Sequence, residues 1–512
     1  MHTQTEIMPD KTVAIIGAGP GGLVTARWLA EHGFEPMLFE AARGLGGQWN
    51  GANPASGTWA DMHTNTSRVM TCFSDLDYPA GTPTYPHLDQ VREYLERYAT
   101  KFDLDRRCRF GTRVKNVERA EDGKWLVQSA SADGEKSEIY ANVIVATGPQ
   151  GAPYVPEVPG IEGFTGALGA AHTVQFDGTS RYRGRSVVVA GCSISALEIA
   201  SALALGGAAE VTATYRRQRY VLPKLITGVP TEHVLFNRAA ALAGEIAPPE
   251  VLMEQLKALV LKSAGSPDQF GAMEPDANIF AAGVTQAQNF LPSVAEGRIA
   301  VKPWLDHIEG KEVHFADGSS VEADAILFGT GYRVSLPWLA ADVAAELNVG
   351  DQSLDLHGLT FHPGVPGMAF VGQFEMAGPY FPVLELQARW ITYNLAGKLP
   401  ALSREEMEAG VAESRARRER HQPLTLQDAA IMLARHASVE PDLDRWPQLE
   451  RALLFGPLSA VSFRLDGPDG LEDAPERVRS AAATFGQIRD ETFTPEEAGL
   501  REMVRSKPAA AA

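Results

Sequence analysis

The sequence predicts an α/β protein built from two βαβ folds, the second inserted into the first, with a helical extension at the C-terminus. Three observations predict it. The chain has 512 residues, more than one hydrophobic core usually serves. Two segments, starting near Val13 and Ser186, read as strand, tight glycine turn, helix, strand. Two apolar runs, ANVIVATGP at 141–149 and ADAILFGTGY at 323–332, each end in a Thr-Gly turn and echo one another.

The first unit runs through VAIIG (13–17), LVTARWLAEHG (23–33) and EPMLFE (35–40). After it, GPQGAPYVPEVPG (148–160) carries prolines and glycines that extend neither a helix nor a central strand, so it reads as a crossing between domains. The second unit runs through SVVVAG (186–191), an alanine- and leucine-rich helix up to Gly206 and Gly207, and EVTATY (210–215). A return crossing is expected near Asp317 to Asp324. The expected division is residues 1–160 and 321–450 for the first fold, 161–320 for the inserted fold, and 451–512 for the extension. REEMEAGVAESRARRER, within 403–450, alternates acidic and basic residues at helical spacing and reads as a solvated helix.

Composition narrows the function. Asp and Glu total 64 against 46 Lys and Arg, a formal charge of -18 that repels phosphate backbones and argues against a nucleic-acid partner. Cys72, Cys108 and Cys192 lie far apart without CxxC spacing, which argues against a disulfide framework, a zinc site or a dithiol pair. The expected metal content is none and the expected compartment is the cytoplasm. The first residues lack a secretory apolar stretch, no run of about 18 uncharged apolar residues occurs, and the closing alanines are too short for a membrane anchor.

Gly17, Gly19 and Gly22 form GxGxxG directly after a strand and before a helix, the context that gives the motif meaning. Gly17 permits the turn, Gly19 lets the backbone approach a pyrophosphate, and Gly22 lets the helix pack on the strand. The helix N-terminus holds the phosphates, and Glu40, 23 residues after Gly17, stands where a carboxylate receives a ribose diol. Such Rossmann-like turns serve FAD and NAD equally. A second glycine turn, GLGGQW at 44–49, follows, and here the chain resembles two-dinucleotide flavoproteins, which makes FAD the implied ligand.

The second turn, GCSISA, keeps Gly191 but carries Ser193 and Ala196 at the other glycine positions. The Ser193 hydroxyl either caps the helix or donates to a phosphate, and alanine is tolerated at the third position. With Ser195 these residues are the candidate nicotinamide-cofactor turn. Arg216 and Arg217 stand 25 and 26 residues after Gly191, where a 2′-phosphate would lie, so NADPH is favoured over NADH.

Taken together, these residues resemble the flavin-containing monooxygenases over most of residues 11–395. GAGPGG, GGQW, NTSRVMTCFSD (65–75), FGTGY and GPYFPVLELQARW (378–390) match family landmarks in order. The family's FxGxxxH stretch is altered: Phe164, Gly166, His172 and Phe176 supply the residue types, with His172 two positions late. His172 is therefore either a cofactor residue or a satisfied histidine of the crossing. The resemblance implies that NADPH reduces FAD, that oxygen adds to give a C4a-hydroperoxyflavin, and that a nucleophilic N or S atom of a small substrate is oxygenated.

By the same resemblance, Asn65 lies beside the reacting part of the flavin, Gln48 and Trp49 line FAD, and Thr64 and Thr66 flank the site. Thr147 and Thr330 then orient the crossing chains, Glu198 caps the second helix, and a homodimer is implied. Apolar patches within 220–300, VLMEQLKALVL and NFLPSV among them, are expected in pocket walls. Baeyer-Villiger oxygenation of a ketone is the alternative activity, and a non-catalytic flavin-binding protein a further one.

Overall fold

The computed structural model describes residues 10–350, 354–420 and 422–506. The expectations for the first nine residues and for the closing alanines lie outside the described residues.

Two five-stranded parallel sheets organise the chain. In the first, the order is Met368–Phe370, Asn142–Val145, Thr12–Ile16, Glu35–Phe39, Cys108–Arg109. In the second it is Ile299–Lys302, Glu210–Thr214, Ser186–Ala190, Ala325–Phe328, Gly169–His172. Parallel strands need crossover connections and are covered on both faces, so their sequences are continuously apolar.

The period of two assigns the faces. Val13 and Ile15 face helices Pro20–Glu31 and Phe381–Leu395, whereas Ala14 and Ile16 face the antiparallel meander Arg113–Arg119, Trp125–Ser131, Gly134–Tyr140. The second sheet repeats the plan. Val187 and Val189 face helix Ile194–Leu205, while Val188 and Ala190 face the meander Leu305–Glu309, Glu312–Phe315, Ser320–Glu322. Each fully buried Val, Leu or Ile in these layers contributes roughly 1.5–3 kcal/mol.

The return crossing differs from expectation. Ala325–Phe328 pairs with Ser186–Ala190 and with Gly169–His172, so it belongs to the second sheet and the chain returns only after Phe328. The echo between the two Thr-Gly segments has another cause: Asn142–Val145 lies beside Thr12–Ile16 as Ala325–Phe328 lies beside Ser186–Ala190. The two runs occupy equivalent places in two like folds. The crossings themselves pair, Ala152–Pro153 running antiparallel to Tyr332–Arg333, and the Thr330 hydroxyl donates to the Tyr154 carbonyl.

Helix Phe381–Leu395 is buried on every face although it carries Glu385, Gln387 and Arg389. Each of these three side chains has a hydrogen-bond partner. The Gln387 amide receives Gly372 N–H at 2.9 Å and donates to Leu359 O at 2.9 Å, and Arg389 donates to Phe463 O at 2.7 Å. Ser403 caps Arg404–Glu419, which is solvated apart from Val411. Helices Glu450–Phe455, Ala474–Ala483 and Pro495–Arg505 share a core with Arg238–Gly244, so the extension packs on the segment that follows the second fold's first βαβ unit. Among the described residues no helix is long and apolar enough to cross a membrane.

Candidate active site

The first glycine turn is a cradle without side chains. Gly17 has φ of 108°, and a Cβ there would stand 2.6 Å from the Ala146 carbonyl oxygen; one on Gly22 would stand 2.0 Å from Gly17 O. A Cβ on Gly47 would come within 3.0 Å of Gly19 Cα, so GLGGQW closes over the first turn. Helix Pro20–Glu31 has Gly19 at its N-cap with no side-chain cap, which leaves its first N–H groups for an anion.

Glu40 is buried and accepts Ala18 N–H and Ala42 N–H, each at 2.8 Å, one on each oxygen. A carboxylate has about four acceptor sites, so capacity for a ribose diol remains. Cradle, uncapped amides and buried carboxylate together fit an adenine dinucleotide. Trp49 is buried in the core of this fold and Gln48 is exposed. Thr147 receives the Gln373 amide at 3.0 Å, so it ties two strand ends of the first sheet and not the crossing chains.

At the second turn Ser193 caps the nucleotide helix. Its hydroxyl accepts Ala196 N–H at 3.4 Å and donates to the Gly329 carbonyl at 3.1 Å, which directs its proton away from a phosphate. Glu198 does not cap this helix; its carboxylate accepts Gln288 N–H at 3.2 Å. Ser195, in the first turn, is exposed to the cleft described below. Ala196 fits where Gly22 sits in the first fold because the facing strand end is Gly329. Arg216 and Arg217 are exposed after Glu210–Thr214, and the Arg216 guanidinium lies 4.8 Å from the Trp304 ring centre. Burial of Cys192 in this turn pushes its thiol up to about 11.

His172 is buried in the crossing. Its Nδ1 accepts Val174 N–H at 3.1 Å, which leaves Nε2–H to donate to Gly331 O at 3.0 Å, and burial lowers its pKa. Both nitrogens are hydrogen-bonded to backbone groups of the crossing. Phe176 is buried in the second core, edge-on to Trp59.

Between the folds lies a cleft of about 370 Å³, walled by Trp59, Met62 and Asn65 from one side and by Ser195, Glu198 and Lys224 from the other. The half-buried Asn65 side chain lines it. Its neighbours are committed locally: the Thr64 hydroxyl donates to Thr66 O at 2.8 Å, and the Thr66 hydroxyl pairs with Thr71 Oγ1 at 2.8 Å. Segment 220–300 contributes Lys224 and Asn289 to the wall. Asn289 opens the expected patch NFLPSV, whose apolar side chains, like those of VLMEQLKALVL, do other work. Helix Pro249–Ala264 packs by Val260 against Tyr220 and Leu222, and Phe290, Leu291 and Val294 fill the second core.

The residues that reading the sequence missed are Lys224, Glu232 and His233. All three approach the Asn65 loop, and burial lowers Lys224, raises Glu232 and depresses His233 to about 3. Nothing in PKLITGVPTEH distinguishes these side chains from an ordinary polar loop.

Two folds of the dinucleotide-binding kind face one cleft, with no paired thiols among the described residues, and this arrangement defines the class: an oxidoreductase. The model of the flavin-binding monooxygenase-like family matches residues 10–487, and the chain belongs to that family of flavin-dependent monooxygenases. It is 31% identical over 489 residues to dimethylaniline monooxygenase [N-oxide-forming] 2 of Rattus norvegicus, covering 91% of this chain and 90% of the relative. Human (Homo sapiens) flavin-containing monooxygenase 2 is 29% identical with the same coverage. In fold the chain is similar to S-allyl-L-cysteine S-oxygenase from Allium sativum, with TM-score 0.61, 22% identity, and 97% and 98% of the two chains covered. It is also similar to cyclohexanone monooxygenase, with TM-score 0.65, 19% identity, and 84% and 97% covered.

Proposed function

We propose that the chain binds FAD in the first fold and NADPH in the second, and uses oxygen to oxygenate a nucleophilic nitrogen or sulfur atom of a small organic substrate in the Asn65 cleft. The observation that carries this reading is the cleft, which brings Asn65 of the first fold opposite the first turn of the second nucleotide helix. Bound there, the flavin supplies electron acceptance from the nicotinamide and oxygen activation.

The chain's own residues bind, orient and exclude water. The uncapped amides after Gly19 receive a pyrophosphate, Glu40 a ribose, and Arg216 with Arg217 a 2′-phosphate. The Asn65 amide offers two N–H donors and a carbonyl acceptor to the reacting groups or to the nicotinamide ribose. A homodimer in the cytoplasm completes the proposal. The homodimer rests on the resemblance to the family alone, and the compartment on three cysteines that are free and far apart.

Anaerobic mixing with NADPH and, separately, NADH tests the cofactors. Rapid bleaching of the flavin by NADPH and slower bleaching by NADH is expected; no bleaching by either overturns the nicotinamide assignment. Product analysis with an amine, a sulfide and a ketone then tests the substrate class, since a lactone or ester from the ketone alone points to Baeyer-Villiger chemistry.

A further inference from the structure

The loop carrying Asn65 is held on both flanks by side chains from beyond the second nucleotide turn. Lys224 Nζ donates to the Thr64 carbonyl at 3.3 Å. Two residues past Asn65, Ser67 N–H donates to Glu232 Oε1 at 2.5 Å, and Ser67 Oγ is hydrogen-bonded to His233 Nε2 at 2.8 Å. The side chains of Glu232 and His233 are 3% and 1% exposed. Lys224 leads back to the second fold, because its N–H donates to Gln288 Oε1 at 2.8 Å and Gln288 N–H donates to Glu198 on helix Ile194–Leu205.

The C-terminal extension closes the same structure from behind. Gln487 Nε2 donates to the His233 carbonyl at 3.2 Å, the Phe485 ring meets the His233 imidazole edge-on at 5.1 Å, and Arg68 lies 5.7 Å from the Phe485 ring centre. Burying a carboxylate, an imidazole and an ammonium group carries a desolvation cost that apolar residues of equal volume would avoid. What apolar residues cannot do is fix the position of a backbone N–H and a backbone carbonyl. Here the two fixed groups bracket one residue, Asn65.

We propose that Lys224, Glu232 and His233 are positioning residues that hold the Asn65 amide in register with the second fold. The proposal rests on the role given to Asn65 above. Neither Glu232 nor His233 lines the cleft, and they act through Ser67. Loosening them leaves the flavin and its reduction intact but lets the Asn65 amide wander, so that reduced flavin discharges to peroxide instead of product.

The test uses the flavin-loaded enzyme and the variants Glu232→Ala, Glu232→Gln, His233→Ala and Asn65→Asp. In Glu232→Ala, amide hydrogen exchange in 64–71 should accelerate about tenfold or more, as expected when a local opening is eased. The peroxide released per NADPH should rise in step. The anaerobic rate of flavin reduction at saturating NADPH should stay within about twofold, since no group aimed at the nicotinamide is lost. Glu232→Gln keeps an acceptor for Ser67 N–H and should recover protection and much of the coupling. Combining Glu232→Ala with Asn65→Asp should leak no more than Asn65→Asp alone.

Unchanged exchange in 64–71, or a loosened loop with unchanged coupling while Asn65→Asp does leak, overturns the positioning role and leaves the function standing. Unchanged coupling in Asn65→Asp itself overturns the Asn65 assignment, and the positioning role with it. Should Glu232→Ala give no soluble flavoprotein, His233→Ala, which also lies outside the cleft, carries the same comparison through Ser67 Oγ.

Discussion

Ala196 and Gly329 fit together as a pair: a Cβ on Gly329 would stand 2.7 Å from the Ala196 methyl. The second fold therefore carries its alanine on the nucleotide helix by keeping a glycine at the end of the neighbouring strand. In the first fold the roles differ, with Gly22 on the helix packed against Gly17 O. A departure that weakens the second motif in sequence is compensated across the sheet.

Gly329→Ala should consequently destabilise the second fold by about 1–3 kcal/mol, the usual cost of overpacking. It should also raise the KM for NADPH, because relief requires the helix N-terminus to move. Adding Ala196→Gly in the same chain should return part of both, since the Ala196 backbone also lies close, its Cα 3.0 Å from a Cβ on Gly329. Thermal unfolding and steady-state kinetics on the single and double variants check this, and a double variant no better than Gly329→Ala would break the pairing argument.

Arg216 lies over Trp304, which braces its guanidinium from Ile299–Lys302 and the turn that follows. Arg216→Ala should raise the KM for NADPH by about tenfold or more while that for NADH changes little, since a charge-assisted contact to phosphate is worth roughly 1.5–3 kcal/mol. Trp304→Ala should produce a smaller shift in the same sense, and equal effects on the two nucleotides would remove Arg216 from the phosphate site.

The fold was legible wherever burial on both faces forces a continuous apolar strand next to a glycine turn. Thr12–Ile16, Glu35–Phe39, Ser186–Ala190 and Glu210–Thr214 all coincide with the runs read from the sequence. What failed was pairing across long separations. ADAILFGTGY reads as a strand correctly, but no local property says which sheet it joins, and its likeness to ANVIVATGP reflects equivalent places in two folds rather than one shared sheet. In the site, turn residues were legible because glycine sterics are local. Lys224, Glu232 and His233 were not, because a buried polar side chain looks in sequence like an exposed one, and only the partner 160 or more residues away reveals it.

Two of the resemblance's landmarks meet in space. Ser74 N–H donates to Glu385 Oε2 at 2.7 Å, while Arg464 of the extension donates to Ser74 Oγ at 2.6 Å and to Asp75 at 2.9 Å. Burial and Asp75 raise the Glu385 carboxyl, and Arg464 opposes them. Arg464→Met takes the cation from buried Glu385, while Asp75 keeps Arg27 at 2.9 Å, and should destabilise the enzyme by about 3–5 kcal/mol. Adding Glu385→Gln should return part of that loss, measured by denaturant midpoint at constant flavin content.

The His233 imidazole gives the protein a predictable acid sensitivity. Burial depresses it from 6.5 to about 3, so the folded state refuses a proton that the unfolded chain accepts below pH 6.5. Between those values the unfolded state binds more protons, and stability falls as pH falls; above pH 6.5 the penalty vanishes. At pH 5 the loss from this one group is about 2 kcal/mol, 1.5 pH units at roughly 1.36 kcal/mol each. Glu232 works in the opposite sense, since its raised folded pKa favours the folded state at acid pH and loses that contribution as pH rises above 4.5. The two slopes oppose each other, so the wild-type profile alone does not isolate the imidazole. His233→Gln keeps a hydrogen-bonding partner for Ser67 and removes only the titration. Its urea midpoint should therefore drop less than that of the wild type between pH 7 and pH 5, and parallel profiles would mean that His233 is protonated in the folded enzyme.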